Sequence, residues 1–230
     1  MPNHDEIYNK EALGYDELIA AQPSLLPVIN DIREAAGLDI VDMGAGTGRL
    51  TNVLAPVAKS IMATDAAEAM LKVTGERLRS AGYSHWGTMT ADHRKLPLED
   101  GCADLVVSGW SICYLCTSDN EKWKDHLAEV MGEIDRILRS GGTAILFETM
   151  GTGWESPHPP DFLVPYYEAL VQDYGFAHRW IRLDYHFESV EQAERLTRFF
   201  FGDELADRVA KEGIRHVPEC AGVWWLHKDK

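Results

Sequence analysis

The sequence predicts an α/β fold, a doubly wound and mostly parallel sheet of seven strands, on three observations. Short apolar runs alternate with longer stretches of helical period over most of the 230 residues, the pattern of parallel strands covered on both faces by helices. The first such run, Asp39–Met43, leads into glycines at alternate positions, Gly44, Gly46 and Gly48, before the period turns helical at Leu50, Val53, Leu54 and Val57. A second run, Ser60–Thr64, ends on Asp65 about twenty residues past the first acid of the loop, Asp42.

The glycine loop points to a nucleotide-like ligand. Glycine tolerates positive φ and puts no Cβ between backbone and ligand, and the N–H groups of the following helix face the same crevice. A dinucleotide fingerprint needs its third glycine at position 49, where this chain has Arg49. The phosphate-cradling loop needs Gly-Lys-Ser/Thr, which is absent. What remains is acid-x-Gly-x-Gly-x-Gly, beginning at Asp42. Asp65 then stands where a carboxylate can accept from both ribose hydroxyls. Asp92 follows a third candidate strand, Gly87–Ala91.

The elements follow in order. A helical segment covers Glu11–Ala36, interrupted by Pro23 and Pro27. The helix after the glycine loop extends to about Ala58. Met70, Leu71 and Leu78 sit on one face of a helix over Ala67–Ala81, stopped near Gly82,. Strand four is Ala103–Gly109. A Ser118-x-x-Glu121 capping box opens the next helix, which ends before Gly141-Gly142,. Strand five is Thr143–Thr149. After the Gly/Pro-rich loop Gly151–Pro160 come a helix over Asp161–Tyr174 and strand six, Phe176–Phe187. Two helices precede strand seven, Val217–His227. The first starts at a Ser189-x-x-Gln192 capping box and the second covers Asp203–Glu212. Ligands of such sheets bind outside the carboxyl ends of the strands, where Gly44, Asp65, Asp92 and Gly109 all fall.

Composition narrows the class. The chain has a net charge of −15, with 37 Asp and Glu against 22 Lys and Arg. That argues against a nucleic-acid partner, which needs a basic footprint. No apolar run reaches the length of a membrane span, and the N-terminus lacks an apolar signal core. Four cysteines are too few for a disulfide framework, so a reducing, cytoplasmic setting is expected. Cys113 and Cys116 have a redox or metal spacing, but no second pair completes it, and they read as two half-buried thiols. Asp119-Asn120 reads as a helix start rather than a magnesium site. No metal is expected.

This succession resembles the class I S-adenosylmethionine-dependent methyltransferases over residues 8–150. VDMGAGTG looks like the family's first motif and TDAAEAML like its second. ADHRKLPLEDGCADLVVS looks like the segment from the adenine loop into the fourth strand, and ILRSGGTAILFE like the fifth strand with its lead-in. YNKEALGYDEL is similar to the N-terminal pattern of the small-molecule branch that includes the quinone-biosynthesis C-methyltransferases. The resemblance implies a Rossmann-like sheet with an antiparallel last strand. It implies one domain over 1–230: a helical lid over 1–36, a cofactor-binding core over 37–150 and a substrate or cap region over 151–230. The two helices before the last strand are then an insertion. The cofactor implied is S-adenosylmethionine, held by Tyr8, Tyr15, Asp42, Gly44, Gly46, Thr47, Gly48, Asp65, Ala66, Met70, Asp92, His93, Gly109 and Trp110.

The acceptor is less constrained. The sulfonium is already a strong electrophile, so holding the reactants in line supplies most of the rate. A base is needed only when the nucleophile carries an unsuitable proton. Glu148, His158 and His186 are candidates, each with a plain structural alternative. Trp110 and Trp154 are the expected acceptor contacts. The aromatic-rich last third implies a small, mostly apolar or aromatic acceptor, although most of those rings also suit a core. The nitrogen-methylating Asn/Asp-Pro-Pro-aromatic signature is absent, since that position reads Ser108-Gly109-Trp110-Ser111. Where the quinone branch often has paired histidines, this chain has Cys113-Tyr114. A peptide, protein or tRNA acceptor and a non-catalytic cofactor-binding module stay open as alternatives, as does the oligomeric state.

Overall fold

The structure is a computed structural model that describes residues 12–229. Residues 8–11 of the lid's pattern, Tyr8 among them, lie outside the described residues. The first helices are α1 (Ala12–Ala20) and α2 (Leu26–Ile32). Then β1 (Asp39–Met43), α3 (Thr51–Leu54), β2 (Ser60–Asp65), α4 (Glu68–Ser80), β3 (Trp86–Thr90) and β4 (Ala103–Gly109) alternate. They are followed by α5 (Trp123–Ile137), β5 (Leu138–Thr152), α6 (Val164–Gln172) and β6 (Ala177–Arg182). The chain continues with β7 (Tyr185–His186), α7 (Val190–Phe201), α8 (Asp203–Glu212), β8 (His216–Val217) and β9 (Glu219–His227).

Seven strands form one sheet in the order β3-β2-β1-β4-β5-β9-β6. The first five pair in parallel, and β9 runs antiparallel between β5 and β6. The period of two decides which core each residue enters. Along β5, Ala144 and Leu146 face α5 and α6, while Ile145 and Phe147 face α2, α3 and α4. Leu146, Ile145 and Phe147 each contribute on the order of 1.5–3 kcal/mol by leaving water.

Four local expectations are corrected. The helix after the glycine loop stops at Leu54 rather than Ala58, because Pro56 offers no N–H to continue the ladder, although Ala55 N–H still donates to the Thr51 carbonyl at 2.9 Å,. The Ser118 capping box does not form. Ser118 N–H instead donates to the Phe162 carbonyl at 2.9 Å, and the helix begins at Trp123 with no side-chain cap. Strand five starts at Leu138, directly after α5, and extends to Thr152. A register irregularity opposite Ala103–Leu105 accommodates Gly141-Gly142. Strands six and seven are each broken, after Arg182 and at Pro218. Their far ends, β7 and β8, pair in a separate two-stranded sheet. Apolar patterning runs across both breaks because Tyr185, Phe187 and Val217 are buried in another core.

That satellite core joins the two-helix insertion to α1. Leu18 packs with Tyr185, Phe187, Ala193, Leu196, Val209 and Val217. The Ser189 cap forms as expected, its hydroxyl accepting from Gln192 N–H at 3.1 Å. The Gln192 side chain donates to Glu17 at 3.0 Å, and Arg195 pairs with Glu17 at 2.5 Å. On its other side α1 is tied to α4 by the Asp16–Arg77 ion pair. Among the described residues no helix is long and apolar enough to cross a membrane, and no cluster of three metal-ligating side chains occurs. All four cysteines are free thiols, Cys116 buried and Cys113 half-buried.

Candidate active site

Gly44 and Ala45 N–H both donate to the Thr64 carbonyl, at 2.7 and 2.9 Å, so the loop after β1 is anchored on the end of β2. Gly44, Gly46 and Gly48 have φ of +73°, +55° and +92°, conformations that a side chain disfavours. At Gly44 a Cβ would lie 1.9 Å from Ser111 Oγ, within the protein. At Gly46 a Cβ would meet only Met70 Cε, at 3.5 Å, and would project into a cavity.

That cavity has a volume of about 300 Å³ and lies at the carboxyl ends of β1, β2 and β4. Of the residues expected from sequence, Tyr15, Asp42, Gly44, Gly46, Asp65, Ala66, Met70, Asp92, His93, Gly109 and Trp110 line it. Thr47 is buried behind the loop with its hydroxyl unpartnered, and Gly48 packs against Asn52 and Thr74. Ala45, Arg49, Leu50, Ala67, Ala91, Ser111, Tyr114 and Leu115 also line it. Sequence reading assigned them no site role. Arg49 entered only as a departure from the dinucleotide pattern, Ser111 and Tyr114 only as departures from the nitrogen-methylating signature and from the quinone branch's paired histidines, and Leu115 had no signal.

The three acids behave differently. Asp65 is engaged by backbone, one oxygen accepting from Gly46 N–H at 2.9 Å and the other from Ala67 N–H at 2.8 Å. Each oxygen keeps a second lone pair for a ligand. Asp42 is buried, and Thr51 Oγ1 donates to one of its oxygens at 2.5 Å. Its other oxygen has no partner, and burial pushes its pKa up to about 7. Asp92 is clasped by the Arg94 side chain and N–H, which hold its pKa at about 2. Beside it, His93 Nε2 lies 2.8 Å from Ser111 Oγ, and burial favours its neutral form. Trp110 is the one described non-glycine residue with positive φ, at +51°. Its N–H donates to the Phe147 carbonyl at 2.7 Å. Its ring stacks between Phe147 at 6.1 Å and the Arg49 guanidinium at 3.6 Å. Strain of this kind persists where surroundings over-determine it, and such places cluster at functional sites.

The candidate bases lie elsewhere. Glu148 is buried towards α6, accepting from Cys113 N–H at 3.1 Å and Tyr166 OH at 3.2 Å. Burial raises its pKa to about 7. His158 stacks on Trp154 at 4.1 Å, and the Trp154 ring is 48% exposed. His186 faces His216 across the two-stranded sheet at 4.6 Å. None of these four residues lines the cavity. Sequence reading also missed Glu219, whose only sign was an acid inside an apolar strand. It is buried, accepts from the Thr149 hydroxyl at 3.3 Å, and is pushed to about 7 by burial.

Asp42, Glu148 and Glu219 therefore have folded pKa values above those of the unfolded chain. Their neutral forms stabilise the fold fully below about pH 4, and that contribution is lost as pH rises through about 7,. Asp42→Asn, Glu148→Gln and Glu219→Gln should each gain in melting temperature relative to the parent between pH 5 and pH 8. Offsets that are equal at both pH values would show that these carboxyls titrate normally.

Comparison with known proteins agrees with this geometry. The methyltransferase-domain family matches residues 41–146. A malonyl-[acyl-carrier protein] O-methyltransferase from Pectobacterium atrosepticum is 28% identical over 158 residues, 64% of this chain and 56% of that protein. A phosphoethanolamine N-methyltransferase from Caenorhabditis elegans is 35% identical over 111 residues, 48% of this chain and 22% of that protein. The chain thus spans about half the length of the first relative and about a fifth of the second. Among solved structures, Haemonchus contortus phosphoethanolamine N-methyltransferase 2 has a TM-score of 0.63 at 14% identity, over 99% of this chain and 59% of that one. Residues 41–146, with the glycine loop and the acid-ended second strand, thus match the methyltransferase-domain family, and the relatives of this chain are named as methyltransferases.

Proposed function

We propose that the chain transfers the methyl group of S-adenosylmethionine to a small, mostly apolar or aromatic acceptor. The observation that carries this reading is the cavity in which Gly46, Asp65, Asp92 and Trp110 meet at the strand ends. The fit is local and chemical. Gly46 leaves open the space that a side chain would fill. Asp65 keeps lone pairs facing a ribose, and Asp42 has an unpartnered carboxylate oxygen. The family match over residues 41–146 supports the same ligand, and the Haemonchus contortus enzyme was solved in complex with S-adenosylhomocysteine.

When bound, S-adenosylmethionine supplies a sulfonium-activated, electrophilic methyl group. The residues of this chain do the rest by position. Asp65 fixes the loop through Gly46 and the start of α4 through Ala67, so ribose binding and loop shape are set together. Tyr15 and Trp110 line the cavity from the lid and the end of β4, where their rings would displace water around a reaction in which charge is dispersed. In this reading residues 1–230 act as one domain, with residues 37–150 holding the cofactor and 151–230 facing the acceptor.

Trp154 is assigned to the acceptor on its half-exposed ring in the loop beyond β5. Trp154→Ala should lower turnover several-fold and leave affinity for S-adenosylhomocysteine within about twofold. Unchanged turnover would remove Trp154 from the acceptor site. The function itself is tested by incubating the protein with methyl-labelled S-adenosylmethionine and cell extract, then identifying labelled products by mass. Label found only in protein or RNA would replace the small acceptor with a macromolecule. Calorimetry showing no binding of S-adenosylmethionine would overturn the proposal.

A further inference from the structure

The arginines of this acidic chain are mostly neutralised by its own carboxylates. Arg77 pairs with Asp16, Arg94 with Asp92, Arg139 with Asp39 and Asp104, and Arg198 with three acids. Arg49 differs. Among the described residues its guanidinium has one hydrogen-bond partner, the neutral side-chain oxygen of Gln22, and no ion pair reaches it. It is also, among the described residues, the one Lys or Arg lining the cavity. The acids there are engaged elsewhere: Asp42 by Thr51, Asp65 by two backbone N–H groups and Asp92 by Arg94. Glu219 is close enough to act on Arg49 electrostatically but does not pair with it.

A desolvated cation without a counter-charge is costly. Burial accordingly lowers the pKa of Arg49. Its geometry is nevertheless fixed. The guanidinium plane lies 3.6 Å over the Trp110 ring, and Trp110 is itself stacked on Phe147 and held at an unfavourable φ. Stacking occupies one face of the guanidinium and leaves its edge, with most of its five N–H donors, to other partners. A fixed planar fork of this kind matches a carboxylate or phosphate, which accepts two parallel hydrogen bonds.

We propose that Arg49 is an oxyanion-binding residue, receiving a carboxylate or phosphate that enters the cavity beside Trp110. This rests on the cavity being the S-adenosylmethionine site. Two sources supply the same chemistry: the amino-acid carboxylate of the cofactor, or an acid group on the acceptor. An acceptor held this way is an apolar or aromatic molecule with one anionic end.

The test is calorimetric and needs no turnover. S-adenosylhomocysteine and 5′-methylthioadenosine, which lacks the amino-acid tail, are titrated into the parent and Arg49→Gln. Benzoate and inorganic phosphate are then titrated into both proteins, with and without S-adenosylhomocysteine. If the oxyanion belongs to the cofactor, Arg49→Gln weakens S-adenosylhomocysteine about ten- to a hundredfold and leaves methylthioadenosine within about twofold. If it belongs to the acceptor, both nucleosides bind the variant as they bind the parent. Benzoate or phosphate then binds the nucleoside-loaded parent and not the variant. The proposal is overturned if all four ligands bind both proteins alike, or if the variant loses both nucleosides equally, which would make Arg49 a support of the loop. Failure of both nucleosides to bind the parent would sink the cofactor reading instead. In that case the anion titrations without nucleoside still decide Arg49.

Discussion

Asp65→Ala is expected to weaken binding of S-adenosylhomocysteine by about 2–4 kcal/mol, or about thirty- to a thousandfold in Kd. Two effects combine. A carboxylate that would accept from the ribose hydroxyls is removed. The Gly46 and Ala67 N–H groups, now held at 2.9 and 2.8 Å, also lose their acceptor. Asp65→Asn separates these contributions. Its amide keeps one acceptor oxygen for the backbone but turns an N–H₂ group towards donors, so it should also bind poorly while folding well. Calorimetry on both variants is the check, with thermal melting as the folding control. Unchanged affinity in Asp65→Ala would mean that the ribose lies elsewhere.

The largest stability effect is expected in the core between the sheet and α5 and α6. Trp224→Ala should destabilise the fold by about 3–5 kcal/mol, the range for deleting a large buried aromatic. Trp224 is 1% exposed, stacks on Tyr167 at 4.6 Å and His178 at 4.4 Å, and joins β9 to α6 and β6. Its indole N–H has no partner, so the loss is one of packing rather than of a hydrogen bond. The ring also covers Gly222, where a Cβ would lie 2.3 Å from two of its carbons. Gly222→Ala should therefore overpack the same spot and cost about 1–3 kcal/mol. Denaturant unfolding at equilibrium measures both. A cost under about 1 kcal/mol for Trp224→Ala would show that this packing is absent.

The proposed cofactor half of the site was legible because its chemistry is local. This glycine loop places its glycines at alternate positions, and an acid ending the next strand is placed by one strand length and one helix length. Gly44, Gly46, Asp65 and the Asp92-His93 pair could therefore be read in order and are brought together at one cavity. Arg49, Ser111 and Leu115 were missed because their roles depend on what packs over them: a lid tyrosine, a tryptophan at positive φ, and a glycine with no room for a Cβ. Glu148 was a candidate base on its place in strand five, and the period of two turned its carboxylate towards Tyr166 and away from the cavity.

By itself the sequence determined the alternation of strands and helices, the glycine loop and the class of ligand, because hydrophobic period, glycine stereochemistry and helix caps act over a few residues. Tertiary structure decided three other matters. It drew Ser118 out of its capping box to satisfy the Phe162 carbonyl. It broke the last strands so that Tyr185 and Val217 could enter a second core with α1. It also stacked Arg49 on Trp110 with a neutral Gln22 oxygen as its hydrogen-bond partner in place of an ion pair. Each depends on residues brought together from distant parts of the chain, Leu18 with Val217 among them, and no local pattern encodes such a pairing.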